Sequence, residues 1–133
     1  MDEATRAQVR LRAKDRCEYC RLPQAQAPFP LFHIEHIRPK KHGGTNVAGN
    51  LCLACNQCNL HKASNLTGID PLTDSIARLF DPRNDEWHHH FAFNGARIVG
   101  RTAIGRTTVR VLGMNDRERV ELRLHLLESS TLE

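Results

Sequence analysis

The chain has 133 residues, with 19 Lys and Arg against 15 Asp and Glu, a formal charge of +4. Hydrophobic residues make up 40% and aromatics 5%, which excludes a disordered chain and asks the core to rest on Leu, Val and Ile. No apolar run is long enough to span a membrane, and the charged opening MDEATRAQVRLRAK is unlike a secretory signal, so the expectation is a soluble, cytoplasmic protein without a membrane partner.

The length predicts one domain over 1–133, with a core at about 15–65 and an extension at about 66–133. Residues 3–15 favour a helix, with Asp2 as N-cap. Pro23, Pro28 and Pro30 make 21–30 a loop. Leu31 to Ile37 is rich in strand formers and stops at Pro39. Gly43-Gly44 and Gly49 mark a turn-rich connection to a short strand at 51–53, and a helix starts near Asn56. Further on, a short helix is expected at 72–79. A hairpin is expected around Asn94-Gly95, pairing 89–93 with 96–100. Helices are expected at 103–112 and 116–128, the last with Val120, Leu124 and Leu127 on its buried stripe and Asp116 as N-cap. The class is α+β. No heptad marks an oligomer seam.

Basic charge is uneven. Residues 1–62 hold ten Lys and Arg and five Asp and Glu, a balance of +5, whereas 63–133 hold nine and ten, a balance of −1. The bias suits a polyanion, although a solvated helix face describes Arg6, Arg10, Arg12 and Lys14 as well. Arg97, Arg101, Arg106 and Arg110 read as phosphate contacts or as solvated surface.

Five cysteines occur, and four form two C-x-x-C pairs, Cys17/Cys20 and Cys55/Cys58. That spacing is the signature of a closed, structural four-thiolate zinc site. The 34 residues between the pairs exceed the insert of a compact zinc ribbon, so they fold as something of their own. Cys52 lies in an apolar stretch and reads as a buried, inert thiol. His88-His89-His90 resembles a metal tract by composition, but alternation on a strand would separate the middle histidine from its neighbours.

Phosphodiester hydrolysis needs a base for water, a cation for the phosphate, and a hold on the base. His36 can be the base. Glu35 and the Asn59 carbonyl are hard oxygen ligands for a second ion, Mg²⁺ or Mn²⁺, and Asn50 can fix the loop. Adjacent strand residues point to opposite faces, so Glu35 and His36 share a metal only if the strand ends or bulges there. His33 and His61 are possible supporting groups, and Lys40, Lys41 and Lys62 can steer a DNA backbone.

CEYC followed by FHIEHIRPKKHGG and GNLCLACNQCNLHK resembles the HNH endonucleases, closely over 17–62. The run from LFDPRNDEWHHHF through GRTAIGRTTVRVLGMN is similar to the C-terminal part of small stand-alone members. The resemblance implies a ββα-metal (HNH, His-Me finger) core and DNA cleavage to 5′-phosphate and 3′-hydroxyl ends. It implies His36 as base and Asn50 as the residue that orients its loop. Asn59 fills the third position, where many members have His, and would bind the divalent ion with Glu35. It implies no small-molecule cofactor. The alternative is a non-catalytic zinc-knuckle module that binds nucleic acid.

Overall fold

A computed structural model describes residues 1–27 and 30–129; Pro28 of the expected 21–30 loop lies outside them. The fold is α+β. Its order is α1 (Glu3–Arg12), β1 (His33–His36), β2 (Leu51–Ala54), α2 (Asn56–Lys62), β3 (Thr67–Ile69), β4 (Ile76–Arg78), α3 (Trp87–His90), β5 (Phe91–Asn94), β6 (Arg97–Gly100), α4 (Ala103–Val111) and α5 (Arg117–Glu128). Among the described residues the strands form three two-stranded antiparallel sheets, β1-β2, β3-β4 and β5-β6. No helix among the described residues is long and apolar enough to cross a membrane. The chain divides into two compact units, Met1–Ser64 with Asp81–Asn84, and Asn65–Phe80 with Asp85–Glu133.

The first unit is the ββα core. Asp2 caps α1 by accepting from the Thr5 amide at 2.8 Å. Val9 is the buried residue of α1. The helix grips the hairpin through arginines, with Arg10 donating to Phe32 O (2.8 Å) and Arg12 to Ala48 O (3.1 Å) and Leu51 O (2.6 Å). β1 pairs with β2 in the register Glu35 opposite Cys52 and His36 opposite Leu51. All four β2 residues are buried. The backbone of Glu18 continues the ladder on the far edge, donating to Leu53 O at 2.8 Å. Its carboxylate accepts from the Leu53 amide at 2.8 Å and pairs with Arg83.

The second unit departs from the expected pattern in three places. The expected helix at 72–79 is instead a turn and the strand β4. Asp70 forces the turn by accepting from Leu72 N (3.0 Å) and Thr73 Oγ1 (2.9 Å), and Asp74 takes a left-handed φ of 62°. His88, His89 and His90 lie on the short helix α3 and not on a strand. α5 buries Arg123 and Leu126, whereas Leu124 is 52% and Leu127 37% exposed. Arg123 decides this rotation, because its guanidinium serves Ala96 O (2.6 Å) and Met114 O (2.5 Å), which only a buried fork can reach. Asp116 makes no side-chain cap. The hairpin turns at Asn94-Gly95 as expected, with Gly95 at φ 58°. The few aromatics are not spread thinly: Phe91 meets Phe80 edge-on and Trp87 at a tilt, both at 5.1 Å, and Phe93 lies 5.2 Å from Trp87. They share this core with Ile98, Leu112 and Met114.

Asp70 is fully buried and forked onto Arg106, at 2.9 Å from Nε and 2.8 Å from Nη2. Arg106 of the expected basic series is thereby a structural cation. The guanidinium bonds hold the Asp70 carboxyl far below the usual carboxylate range. A depressed folded pKa adds stability that is complete above the unfolded value of about 4 and is lost as pH falls toward the folded one. Acid unfolding of the wild type will therefore lose stability below about pH 4 more steeply than Asp70→Asn, as followed by urea titrations at several pH values.

Candidate metal and hydrolytic site

The four knuckle sulfurs converge. Cys17, Cys20, Cys55 and Cys58 are all buried, and their Sγ atoms lie within 4.8 Å of one another. The Cys20–Cys55 separation is 3.7 Å, close to the ~3.8 Å between sulfurs of an ideal tetrahedron with ~2.3 Å zinc–sulfur bonds. Each knuckle wraps its first sulfur with an amide: Cys20 N to Cys17 Sγ and Cys58 N to Cys55 Sγ, both 3.4 Å. Cys55 is also the N-cap of α2, its sulfur accepting from the Cys58 amide. Burial pushes the Cys17 thiol well up and hydrogen bonds with Cys17 and Cys20 push Cys58 up, whereas a hydrogen bond with Cys17 brings Cys55 down. Four thiolates at this spacing need a soft cation, and the donor set fits zinc. Among the described residues this is the group that gathers metal-ligand atoms; the three consecutive histidines do not.

β1 is regular at Glu35 and His36, with unbroken register to β2. The two side chains accordingly part. Glu35 turns inward and is 6% exposed. Its Oε2 accepts from Tyr19 Oη (2.8 Å) and from the Cys52 thiol (3.1 Å). Its Oε1 has no directed hydrogen bond, but Lys62 Nζ lies 2.7 Å away. Beside this carboxylate, burial drives the Tyr19 phenol and the Cys52 thiol well up, and Glu35's charge adds to both. Cys52 is buried and stands outside the sulfur cluster.

Lys62 sits where the sequence reading did not place it. It was expected as a surface steering charge, yet it is 2% exposed. Its ammonium donates to His36 O (3.3 Å) and Ile37 O (3.0 Å) besides pairing with Glu35. It fastens α2 to β1, because the last turn of α2 aims that residue inward.

His36 faces the other way and is half-buried. Its Nε2 lies 2.6 Å from Asn46 Oδ1. An amide oxygen can only accept, so in this bond the ring donates through Nε2. Sequence reasoning had passed over Asn46; its signal was only that it follows the Gly43-Gly44 turn. Asn50 holds that connection from the other end. Its side chain accepts from Arg38 N (2.8 Å) and donates to Arg38 O (3.0 Å) and Thr45 O (2.8 Å). Gly43 is left-handed at φ 86°, and a Cβ on Gly44 would stand 1.6 Å from Arg38 O, so neither position admits a side chain without a shift.

His36, Asn59, Glu35 and Lys40 are among the residues that line one cleft of about 290 Å³. Lys40 and Lys41 are exposed on a short turn after Pro39. His33 is exposed and 3.1 Å from Asn56 Oδ1, and His61 is exposed on α2. His42, unremarked in the sequence, reaches Ser64 O at 3.0 Å and ties the loop to the end of α2. A ring nitrogen, an amide and a carboxylate oxygen around one cleft can move a proton and hold a hard cation against an anion.

No curated protein and no solved structure matches the chain. One family model does, over residues 17–65, and it is described as HNH endonuclease. That match spans the four-cysteine cluster and the β1-β2-α2 core, so the stretch from Cys17 to Asn65 is similar to the HNH endonuclease family.

Proposed function

We propose that the chain is a metal-dependent endonuclease that hydrolyses phosphodiester bonds of DNA, with zinc as its structural ion. The observation that carries this reading is the shared cleft of His36 and Asn59, with the His36 ring already oriented by Asn46. In this reading His36 Nδ1 takes a proton from water as the oxygen attacks phosphorus, and the 3′ oxygen leaves. Asn46 keeps the hydrogen on Nε2, and Asn50 keeps the loop that carries Asn46 in place. Lys40 and Lys41 draw the backbone to the cleft. Asn59 and Glu35 would hold the divalent ion, Mg²⁺ or Mn²⁺; when bound, that ion supplies charge neutralisation at the phosphate and the leaving oxygen. Glu35 Oε1 is a buried oxygen 2.7 Å from the Lys62 ammonium, so an ion held there would share that carboxylate with Lys62. Lys62 takes no part in steering here, being buried.

Plasmid nicking with Mg²⁺ or Mn²⁺ tests the reading. His36→Ala should lower the rate by about 10²–10⁴-fold while DNA affinity is kept. A second reading, a zinc-knuckle module that binds without cutting, draws on the Lys62–Glu35 pair, which occupies the acidic residue. Equal binding and no nicking by either protein would favour it.

Asn46 gives a separate expectation. Asn46→Ala should reduce kcat by about tenfold, with KM and melting temperature unchanged, because only the ring's orientation and tautomer are lost. The ring ¹⁵N shifts of His36 should move from a single Nε2–H tautomer to a mixture. A KM effect without a kcat effect would show that Asn46 serves binding instead.

A further inference from the structure

The cleft brings together charges that do not favour a cation. Glu35, one of the lining residues, supplies one negative charge. Lys62 Nζ, 2.7 Å from Oε1, cancels it. That ammonium is held by two main-chain carbonyls, His36 O and Ile37 O, as well as by the carboxylate, so its place does not depend on Glu35 alone. Lys40 adds a positive charge, and Asn59 is neutral. Tyr19 Oη and the Cys52 thiol, the other groups facing Glu35, each donate a hydrogen bond to its Oε2. The groups around the cleft therefore sum to zero or above. A divalent ion entering beside the Lys62 ammonium meets strong repulsion at the intermediate dielectric of such a site.

The missing negative charge is of the kind a nucleic-acid phosphate brings. Resting on the nuclease reading above, we infer that Lys62 is the resident counter-ion of Glu35, and that the catalytic ion loads together with the phosphodiester and not before it. Lys62 stands in for the ion while the cleft is empty of nucleic acid. When a phosphate arrives, its charge lets a divalent cation share Glu35 with the ammonium. Coupling of this kind is reciprocal: the phosphate tightens the ion by the same factor as the ion tightens the phosphate.

Mn²⁺ binding read by electron paramagnetic resonance tests this without turnover, on zinc-loaded His36→Ala. Mn²⁺ is titrated into the protein alone, with a short duplex, and with a duplex of uncharged methylphosphonate linkages, each duplex also being titrated alone as a blank. The charged duplex should tighten Mn²⁺ by at least about tenfold and the uncharged one should not. Mn²⁺ should raise affinity for the charged duplex by the same factor. Lys62→Met should bind Mn²⁺ at least about tenfold tighter without nucleic acid, and Mn²⁺ should raise its melting temperature while leaving that of the parent unchanged. Mn²⁺ bound equally well with and without the charged duplex would overturn the inference, and so would unchanged affinity in Lys62→Met. If Lys62→Met does not fold, the duplex comparison decides alone. Linkage present in a chain whose wild type never nicks DNA would sink the nuclease reading and leave this one standing; nicking without linkage would do the reverse.

Discussion

Stripping the metal from the four-cysteine site, or replacing Cys55 by alanine, should abolish the fold of the ββα unit. Structural zinc in small domains contributes about 10–16 kcal/mol of folding free energy, more than the whole stability of most domains. The unit has little else of comparable weight. Its buried apolar side chains are few, chiefly Val9, Tyr19, Leu22, Phe32, Leu51 and Leu53. The knuckles also start or pin its elements: Glu18 N bonds Leu53 O, and Cys55 caps α2. Amide exchange at Leu51–Ala54 should rise to unprotected rates on treatment with a strong zinc chelator. Colorimetric release should give one zinc per chain. Cys55→Ser separates the two roles of that sulfur, since a serine oxygen still caps the helix while the soft donor is lost. It should unfold nearly as far as Cys55→Ala. Retained protection in either variant would show that the cluster is not what holds the unit together.

Glu35→Ala should be the next largest loss, at about 3–5 kcal/mol, because it leaves the Lys62 ammonium buried without its counter-charge. The side chains of the pair are only 2% and 5% exposed, so solvent screens neither. Tyr19 Oη and the Cys52 thiol lose their acceptor at the same time. The double variant Glu35→Leu/Lys62→Met should recover most of the stability, since a buried ion pair replaced by apolar groups of similar size is close to neutral. Urea unfolding followed by circular dichroism gives both values, and the midpoint should move while the slope does not. If the single and double variants lose the same amount, the ammonium was reaching water, and the pair contributes nothing by being paired.

What could be read from residues alone follows a pattern. The knuckles were legible because a thiolate cluster requires two close pairs, and pairs close in sequence are visible as such. The β1-β2-α2 order, the Asp2 cap and the Asn94-Gly95 turn were legible for the same reason: each is decided within a few residues. What escaped was decided across the chain. Lys62 reads as a surface charge until the last turn of α2 is seen to face Glu35. Asn46 carries no local mark of its bond to a ring ten positions earlier. The apolar stripe of α5 lost to Arg123, whose carbonyl partners lie 27 and 9 residues away. The helix expected at 72–79 gave way to a turn that Asp70 fixes through Leu72 N and Thr73 Oγ1 and to the strand β4, whose pairing with β3 is a contact across the chain. The opposite facing of Glu35 and His36 was legible as a difficulty and proved real: the strand is regular there, and it divides the two residues between core and cleft.

The arginines of the amino-terminal half have one more consequence. Arg10, Arg12, Arg16 and Arg38 each spend guanidinium donors on carbonyl oxygens of their own chain. Part of the amino-terminal positive charge is thus built into the scaffold: the same guanidinium groups that make this half basic also hold its loops to the hairpin, so Arg12→Lys would keep the charge and give up the forked hold on Ala48 O and Leu51 O.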